Sequence, residues 1–210
     1  MVPSKLIVVT IAASIGFGAP PAFAAGAASP DWPCVQRKIA TLTSAQMWDG
    51  APVDHLTQWR EDETTTKLIA VLASRRVSLE QATAAIAQFA AAQSSEKRDD
   101  ALKLLFAGLL STVNTDRAVV ISGIERFQQR QKARATEIER QGAEIRRLKE
   151  QAANDEKARA ELAAAEDKYN WDVRVFSERQ QSLPLACEVP VLIEQRLFAL
   201  GREIRSHMSD

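Results

Sequence analysis

Cysteine, histidine, tyrosine and glycine are all scarce in this 210-residue chain, which has 2 Cys, 2 His, 1 Tyr and 8 Gly. Cys34 and Cys187 stand at opposite ends, with no C-x-x-C between them, which excludes a thioredoxin-type redox motif and a c-type haem attachment site. No Gly-rich phosphate loop occurs, nor does G-x-S-x-G or H-E-x-x-H. Net charge is absent as well: 27 Lys and Arg balance 27 Asp and Glu. A neutral chain offers no electrostatic case for nucleic acid or for stable insertion into an anionic membrane. Alternating β-branched residues are missing too, so no strand is expected.

What is present starts with a targeting segment. Residues 1–24 combine Lys5, an apolar run from Leu6 to Phe17, the breakers Pro20 and Pro21, and the small-x-small site Ala22-Phe23-Ala24. The run is shorter than the roughly 20 residues of a transmembrane helix. Cys34 follows Asp31-Trp32-Pro33 rather than a lipobox, so it is not a lipidation site. The chain therefore reads as a periplasmic protein cut after Ala24, with an uncleaved anchor as the alternative.

Outside the cytoplasm, an even number of thiols tends to pair. A Cys34–Cys187 disulfide is the favoured reading, and the spacing of Cys34, Cys187, His55 and His207 fits no recognised zinc pattern. No metal or cofactor is expected.

The rest is helical in pattern. Residues 34–60 are short pieces, with a capping-box form at Thr43–Gln46 and a turn at Asp49-Gly50-Ala51-Pro52 that would place Pro52 in the first turn of another helix. Trp32, Trp48 and Trp59 lie here; they either stack on a ligand such as a sugar or fasten an irregular segment to a core. Two helices follow over 63–93, the second capped at Ser78-Leu79-Glu80-Gln81. Their spacing superficially matches a DNA-binding helix-turn-helix, which export argues against. Ser94-Ser95 then opens a long helix whose Leu102, Leu105, Phe106, Leu109 and Leu110 form a face broad enough for a bundle interior.

From Ile121 the pattern narrows to an imperfect heptad through Ile124, Gln131, Ile138, Ile145 and Ala152. A second series, Leu162, Tyr169, Phe176 and Leu183, ends at Pro184, and a final helix spans 189–206. One continuous helix over 98–182 would be roughly 125 Å long and would keep the cysteines of one molecule apart. A reversal near Ala152–Asn154, with Asn154 as N-cap, lets the two series meet, placing Tyr169 near Ile138 and Phe176 near Gln131, and returns Cys187 to Cys34. The fold class expected is all-α: a small helical bundle as head with a projecting antiparallel coiled-coil hairpin. The domain reading is 1–24 signal peptide, 25–120 first part of the head, 121–183 hairpin and 184–210 a C-terminal helix completing the head.

Trp32-Pro33-Cys34-Val35-Gln36-Arg37, Leu104 to Leu110, and Cys187-Glu188-Val189-Pro190 with Glu194 and Arg196-Leu197 resemble a group of uncharacterised exported helical proteins of alphaproteobacteria. The resemblance covers the head and the last helix. It implies compartment and architecture only, since the group carries no known activity.

No catalytic constellation stands out. His55 and His207 have no patterned nucleophile, and Asp49, Asp54, Glu61, Asp62 and Glu63 are consecutive surface-type acids rather than a glycosidase pair. The expected role is that of a non-catalytic structural or adaptor protein of the cell envelope with an unidentified protein partner. A homodimer through the hairpin is open. The alternatives are a ligand-binding module built on the tryptophan-rich segment and a holdase chaperone.

Overall fold

The computed structural model describes residues 31–152 and 155–209. The expected signal segment 1–24 with its expected cleavage site, the leader to residue 30, and the expected N-cap Asn154 lie outside the described residues. The described chain is all-α, with no strand. Its elements are α1 (Ser44–Met47), a 3₁₀ turn (Gln58–Arg60), α2 (Glu63–Ala73), α3 (Leu79–Ala92), α4 (Arg98–Gln151) and α5 (Glu156–Ser206).

Local chemistry fixes most helix starts. Asp62 accepts from the N–H groups of Thr64 and Thr65, both at 3.1 Å, and so caps α2. Ser78 and Gln81 close a reciprocal capping box at 3.1 Å each way, starting α3. Two helix starts differ from the sequence reading. No helix begins at Pro52; residues 51–57 are irregular. At α4, Ser94 acts one turn early: its carbonyl accepts from Lys97 and Arg98, and the N-cap itself is Lys97.

The head is a single core. Leu102, Leu105, Phe106 and Leu109 of α4 are fully buried, as are Leu72 of α2, Ile86 of α3 and Ile204 of α5, and Leu42, Val53 and Trp48 join them from the N-terminal segment. Trp48 stacks on Phe106 with ring centroids 4.4 Å apart. Two glycines permit close approach. A Cβ on Gly108 would lie 2.2 Å from Ile69 Cδ1 and 2.8 Å from the Trp59 ring, and one on Gly201 would lie 2.8 Å from the carbonyl oxygen of Met47. α4 contains a stretch long and apolar enough to cross a membrane, but half of it is buried within the protein, as in a core helix.

Beyond the head α4 and α5 run alongside each other in opposite directions. Arg117 meets Glu194, Gln131 donates to the Phe176 carbonyl at 3.3 Å, Gln141 meets Asp172, and Lys149 meets Glu166 at 3.0 Å. The chain turns between Gln151 and Glu156, where Asp155 caps α5 by accepting from Lys157 N–H at 2.9 Å. Tyr169 lies 3.7 Å from the Cβ position of Gly142, one turn nearer the tip than the Ile138 level expected. Helical side chains lean toward their own N-terminus, and the N-terminus of α5 is at the tip.

The expected helix end at Pro184 is corrected by the structure: α5 passes through both Pro184 and Pro190. Each proline removes one intrahelical bond and crowds the preceding turn, at about 3 kcal/mol. Tertiary packing outweighs this. Cys187, between the prolines, is covalently held, and Ile193, Leu197 and Leu200 are locked in the core just beyond.

Candidate functional site

The N-terminal segment 31–43 has no regular structure, so its own backbone cannot hold it in place. It is strapped down by side chains. Cys34 and Cys187 form a disulfide with Cα atoms 5.6 Å apart, and Gln36 donates to the Cys187 carbonyl. Asp31 accepts from Gln129 and Lys132, each at 2.9 Å, and Lys38 pairs with Glu125 at 2.6 Å. The Arg117 guanidinium donates to the Ile39 carbonyl, and Asn114 brackets Leu42, accepting from its N–H and donating to its carbonyl at 2.9 Å each. As the strap runs forward from Asp31 to Leu42, its partners run backward along α4 from Lys132 to Asn114. The strap is thus antiparallel to α4 and bound along one helix face.

Sequence reasoning missed these α4 partners. The signal is present in hindsight: Asn114, Arg117, Glu125, Gln129 and Lys132 recur near multiples of a helical turn, off the apolar stripe. Arg117 is the deepest of them, with a side chain only 3% exposed.

The three tryptophans have separate duties. Trp48 is in the core on Phe106, and its Nε1 donates to the Ala51 carbonyl at 3.1 Å. Trp59 is buried in the slot left by Gly108, with the Arg60 guanidinium 4.2 Å from its ring centroid. Trp32 is half-buried, and its Nε1 donates to the Gln36 carbonyl at 2.7 Å, tying the strap to itself around Cys34. Among them Trp59 alone lines an open groove of about 840 Å³ between the strap and α4, together with Thr41, Asp54, Asn114, Ser122 and Arg126. A second groove, about 440 Å³ and mostly apolar, lies beside the disulfide and is walled by Val35, Pro184, Val191 and Leu192.

The acids near the tryptophans serve backbone and side-chain polar groups. Asp54 accepts from Ser44 N–H at 3.0 Å and from the Ser44 hydroxyl. Asp62 caps α2, and its carboxyl is held below the usual range chiefly by the Thr65 hydroxyl. His55 is exposed, and His207 contacts Glu203 at 3.0 Å. Among the described residues no three His, Cys, Asp or Glu side chains gather as metal ligands.

The arm has a polar layer of its own. Asp172, only 8% exposed, meets Arg134 at 2.8 Å, Gln141 at 2.8 Å and Lys168 at 2.7 Å. These bonds, Lys168 first, lower its pKa. An offset of one turn would separate Asp172 from Arg134 and Gln141, so the layer fixes how the two helices align.

Comparison of the chain with family models, with curated proteins and with solved structures finds no match to any of them.

Proposed function

We infer that the chain is an exported, non-catalytic adaptor of the cell envelope: a disulfide-clamped head that presents a coiled-coil arm to another protein in the periplasm. The observation that carries this reading is the arm itself. From Ile121 to Gln151, about 45 Å of α4 extends past the main core, and its buried side chains face α5. Its flanks are charged and exposed, as at Arg140, Arg146, Arg147 and Glu150. An arm of this kind adds little to the stability of the head and gives a partner a long surface to meet. The targeting pattern at Ala22-Phe23-Ala24 and the Cys34–Cys187 bond agree in pointing to an oxidising compartment. The resemblance to exported helical proteins points the same way.

A photo-reactive residue placed at Arg146 in intact cells tests the reading. One recurrent envelope protein crosslinked to the arm supports the adaptor, and a broad spread of unfolded proteins favours a holdase. The groove beside Trp59 favours the second reading, a ligand-binding module. That reading predicts no arm crosslinks, and quenching of tryptophan fluorescence by a small periplasmic ligand. N-terminal sequencing of periplasmic protein tests the compartment separately, with Ala25 the expected first residue.

A further inference from the structure

The described residues leave eight large hydrophobic side chains exposed, and four of them lie on α5: Trp171 at 58%, Leu185 at 67%, Leu192 at 55% and Phe198 at 45%. Trp171, Leu185 and Leu192 share one stripe, since positions seven apart on a helix nearly superimpose and positions fourteen apart stay within the same face. Leu185 and Leu192 lie roughly 100° or more around α5 from the buried residues Cys187, Pro190, Leu197 and Ile204, and toward the C-terminus the stripe runs along the rim of the head, where Arg196 donates to the Leu72 carbonyl at 3.2 Å and Glu203 is half-buried. Val35 of the strap, fully exposed, adjoins it across the groove beside the disulfide.

The stripe is also self-complementary in charge. Arg174 precedes Leu185 by three helical turns, and Glu203 follows Leu192 by the same three turns. Reversing the helix therefore exchanges Leu185 with Leu192 and Arg174 with Glu203. Laid antiparallel on a second copy, each leucine meets the other leucine and each arginine meets a glutamate. A parallel pairing would set Arg174 on Arg174 and Glu203 on Glu203. The Arg174 guanidinium lies 4.6 Å from the centroid of the exposed Trp171 ring, so the end of the stripe pairs two residue types enriched at binding hot spots.

We propose that this outward stripe of α5 is a homodimer interface in which two chains pack antiparallel about a twofold axis between Glu188 and Val189, with Leu185 against Leu192 and Arg174 against Glu203 of the second copy. The contact is isologous, as a closed pair requires. From Trp171 to Ser206 it is roughly 50 Å long, and one helix width of it buries on the order of 500 Å² per partner. That is below the roughly 800 Å² of a standard interface, so the pair is weak and reversible. The dimer uses the back of α5 and leaves the α4 side of the arm open. It stands whether or not the arm serves as an adaptor.

Sedimentation equilibrium of the oxidised chain from residue 25 to 210 tests this. A monomer–dimer equilibrium is expected below about 500 μM. Leu185→Ser or Leu192→Ser should each weaken it by roughly tenfold or more, since each removes two leucine contacts per dimer. Arg174→Glu and Glu203→Arg, each creating two like-charge contacts, should weaken it about tenfold, and the two together should restore it to within about threefold of the parent. Circular dichroism confirms that each variant keeps its helix content. Because Glu203 also contacts His207 within its own chain, the leucine variants give a result independent of that pair. A chain that stays monomeric at about 500 μM overturns the proposal and leaves the stripe to another protein. So does a dimer that neither leucine variant weakens, or charge variants whose combination is no better than either alone.

Discussion

Arg117 on α4 and Glu194 on α5 form an ion pair at 2.5 Å, with the arginine side chain 3% exposed and the glutamate 25%. The same guanidinium donates to the carbonyl of Ile39 in the strap. One buried cation therefore joins the N-terminal segment, the long central helix and the last helix at the level where the head gives way to the arm. Burying a charge is unfavourable unless its hydrogen-bonding capacity is met, and Arg117 meets it with partners from two distant parts of the chain.

Replacing Arg117 with alanine strands the Glu194 carboxylate and leaves the Ile39 carbonyl without this donor. The expected loss is about 3 kcal/mol in urea denaturation, the lower end for a broken buried pair because Glu194 keeps some water. Arg117→Met combined with Glu194→Leu should recover most of it. A loss below about 0.5 kcal/mol for Arg117→Ala would show that the pair behaves as a surface one.

The disulfide closes a loop of 153 residues, and in the chain-entropy view such a closure is worth roughly 5 kcal/mol at most. Cys34→Ser or Cys187→Ser should lower the melting temperature and speed proteolytic cleavage before Glu63. Most helix content should survive, because the covalent tie holds the strap while α2 to α5 share the core. Limited proteolysis followed by mass spectrometry reads this directly. Equal cleavage rates in parent and variant would mean that Arg117, Asn114 and Gln36 suffice to hold the strap.

The broad face from Leu102 to Leu110, the two short capped helices and the cysteine pair were legible in the sequence, because each rests on local pattern or on compartment chemistry. Besides the helix starts expected at Pro52 and Ser94, two larger features were not. The first was the continuation of α5 through Pro184 and Pro190. Local rules end a helix at such residues, and only the packing of Ile193, Leu197 and Leu200 on one side and the arm on the other overrides them. The second was the strap. A segment without regular structure has no periodicity to read, and its order comes from side chains more than 70 positions away, such as Asn114 and Arg117. The tryptophans were ambiguous for a related reason: an aromatic residue in an irregular segment looks the same whether it faces a core or a ligand. For Trp59 the deciding feature is Gly108, whose missing side chain leaves a slot for the ring.

Pro184 is exposed, and α5 is helical on both sides of it. Pro184→Ala restores a backbone donor and removes the ring crowding. The expected outcome is a gain of about 1–3 kcal/mol in stability, read as a higher melting temperature, with the disulfide still formed. A lower melting temperature, or free thiols in the purified variant, would mean that the proline bends α5 into the position Cys187 needs.

Gly201 is buried where α5 crosses α1, and an added Cβ would lie 2.8 Å from the Met47 carbonyl oxygen and 3.0 Å from the Phe106 ring. The backbone oxygen cannot swing away as a flexible side chain could. Gly201→Ala should therefore cost roughly 1–3 kcal/mol despite alanine's better helix propensity. Gly123→Ala is the control: its Cβ would meet nothing within 4 Å, and propensity alone should make it stabilising by up to about 1 kcal/mol. If both variants shift stability in the same direction, the close approach at Gly201 is not a real constraint.

The polar layer of the arm should give it an acid limit. Asp172 has its pKa lowered from 3.8, first by its bond to Lys168 and then by Gln141, and Glu137 is pushed down from 4.5 to about 2, first by Arg140 and then by Gln141. A carboxylate whose pKa is depressed on folding stabilises the fold fully above its unfolded value, and loses that stabilisation as pH falls toward the folded one. The window for the arm therefore opens near pH 4.5 and runs down to about 2. Above it, removing a proton changes nothing, so stability from this layer should be flat between pH 5 and 7. As pH falls, Glu137 gives up its charge through this window, and Asp172, held below 3.8, becomes protonated while Arg134 and Lys168 keep their charges, so the alignment of the two helices loosens. Measured against the intrinsic exchange rate at each pH, the protection of α4 amides between Gln131 and Gln151 and of α5 amides between Glu156 and Phe176 should fall through this window before the head around Phe106 responds. Asp172→Asn should raise arm exchange at neutral pH and flatten its acid dependence, leaving head amides unchanged. If Asp172→Asn keeps the full acid dependence of the parent, the loosening belongs to other carboxylates and the layer does not control the arm.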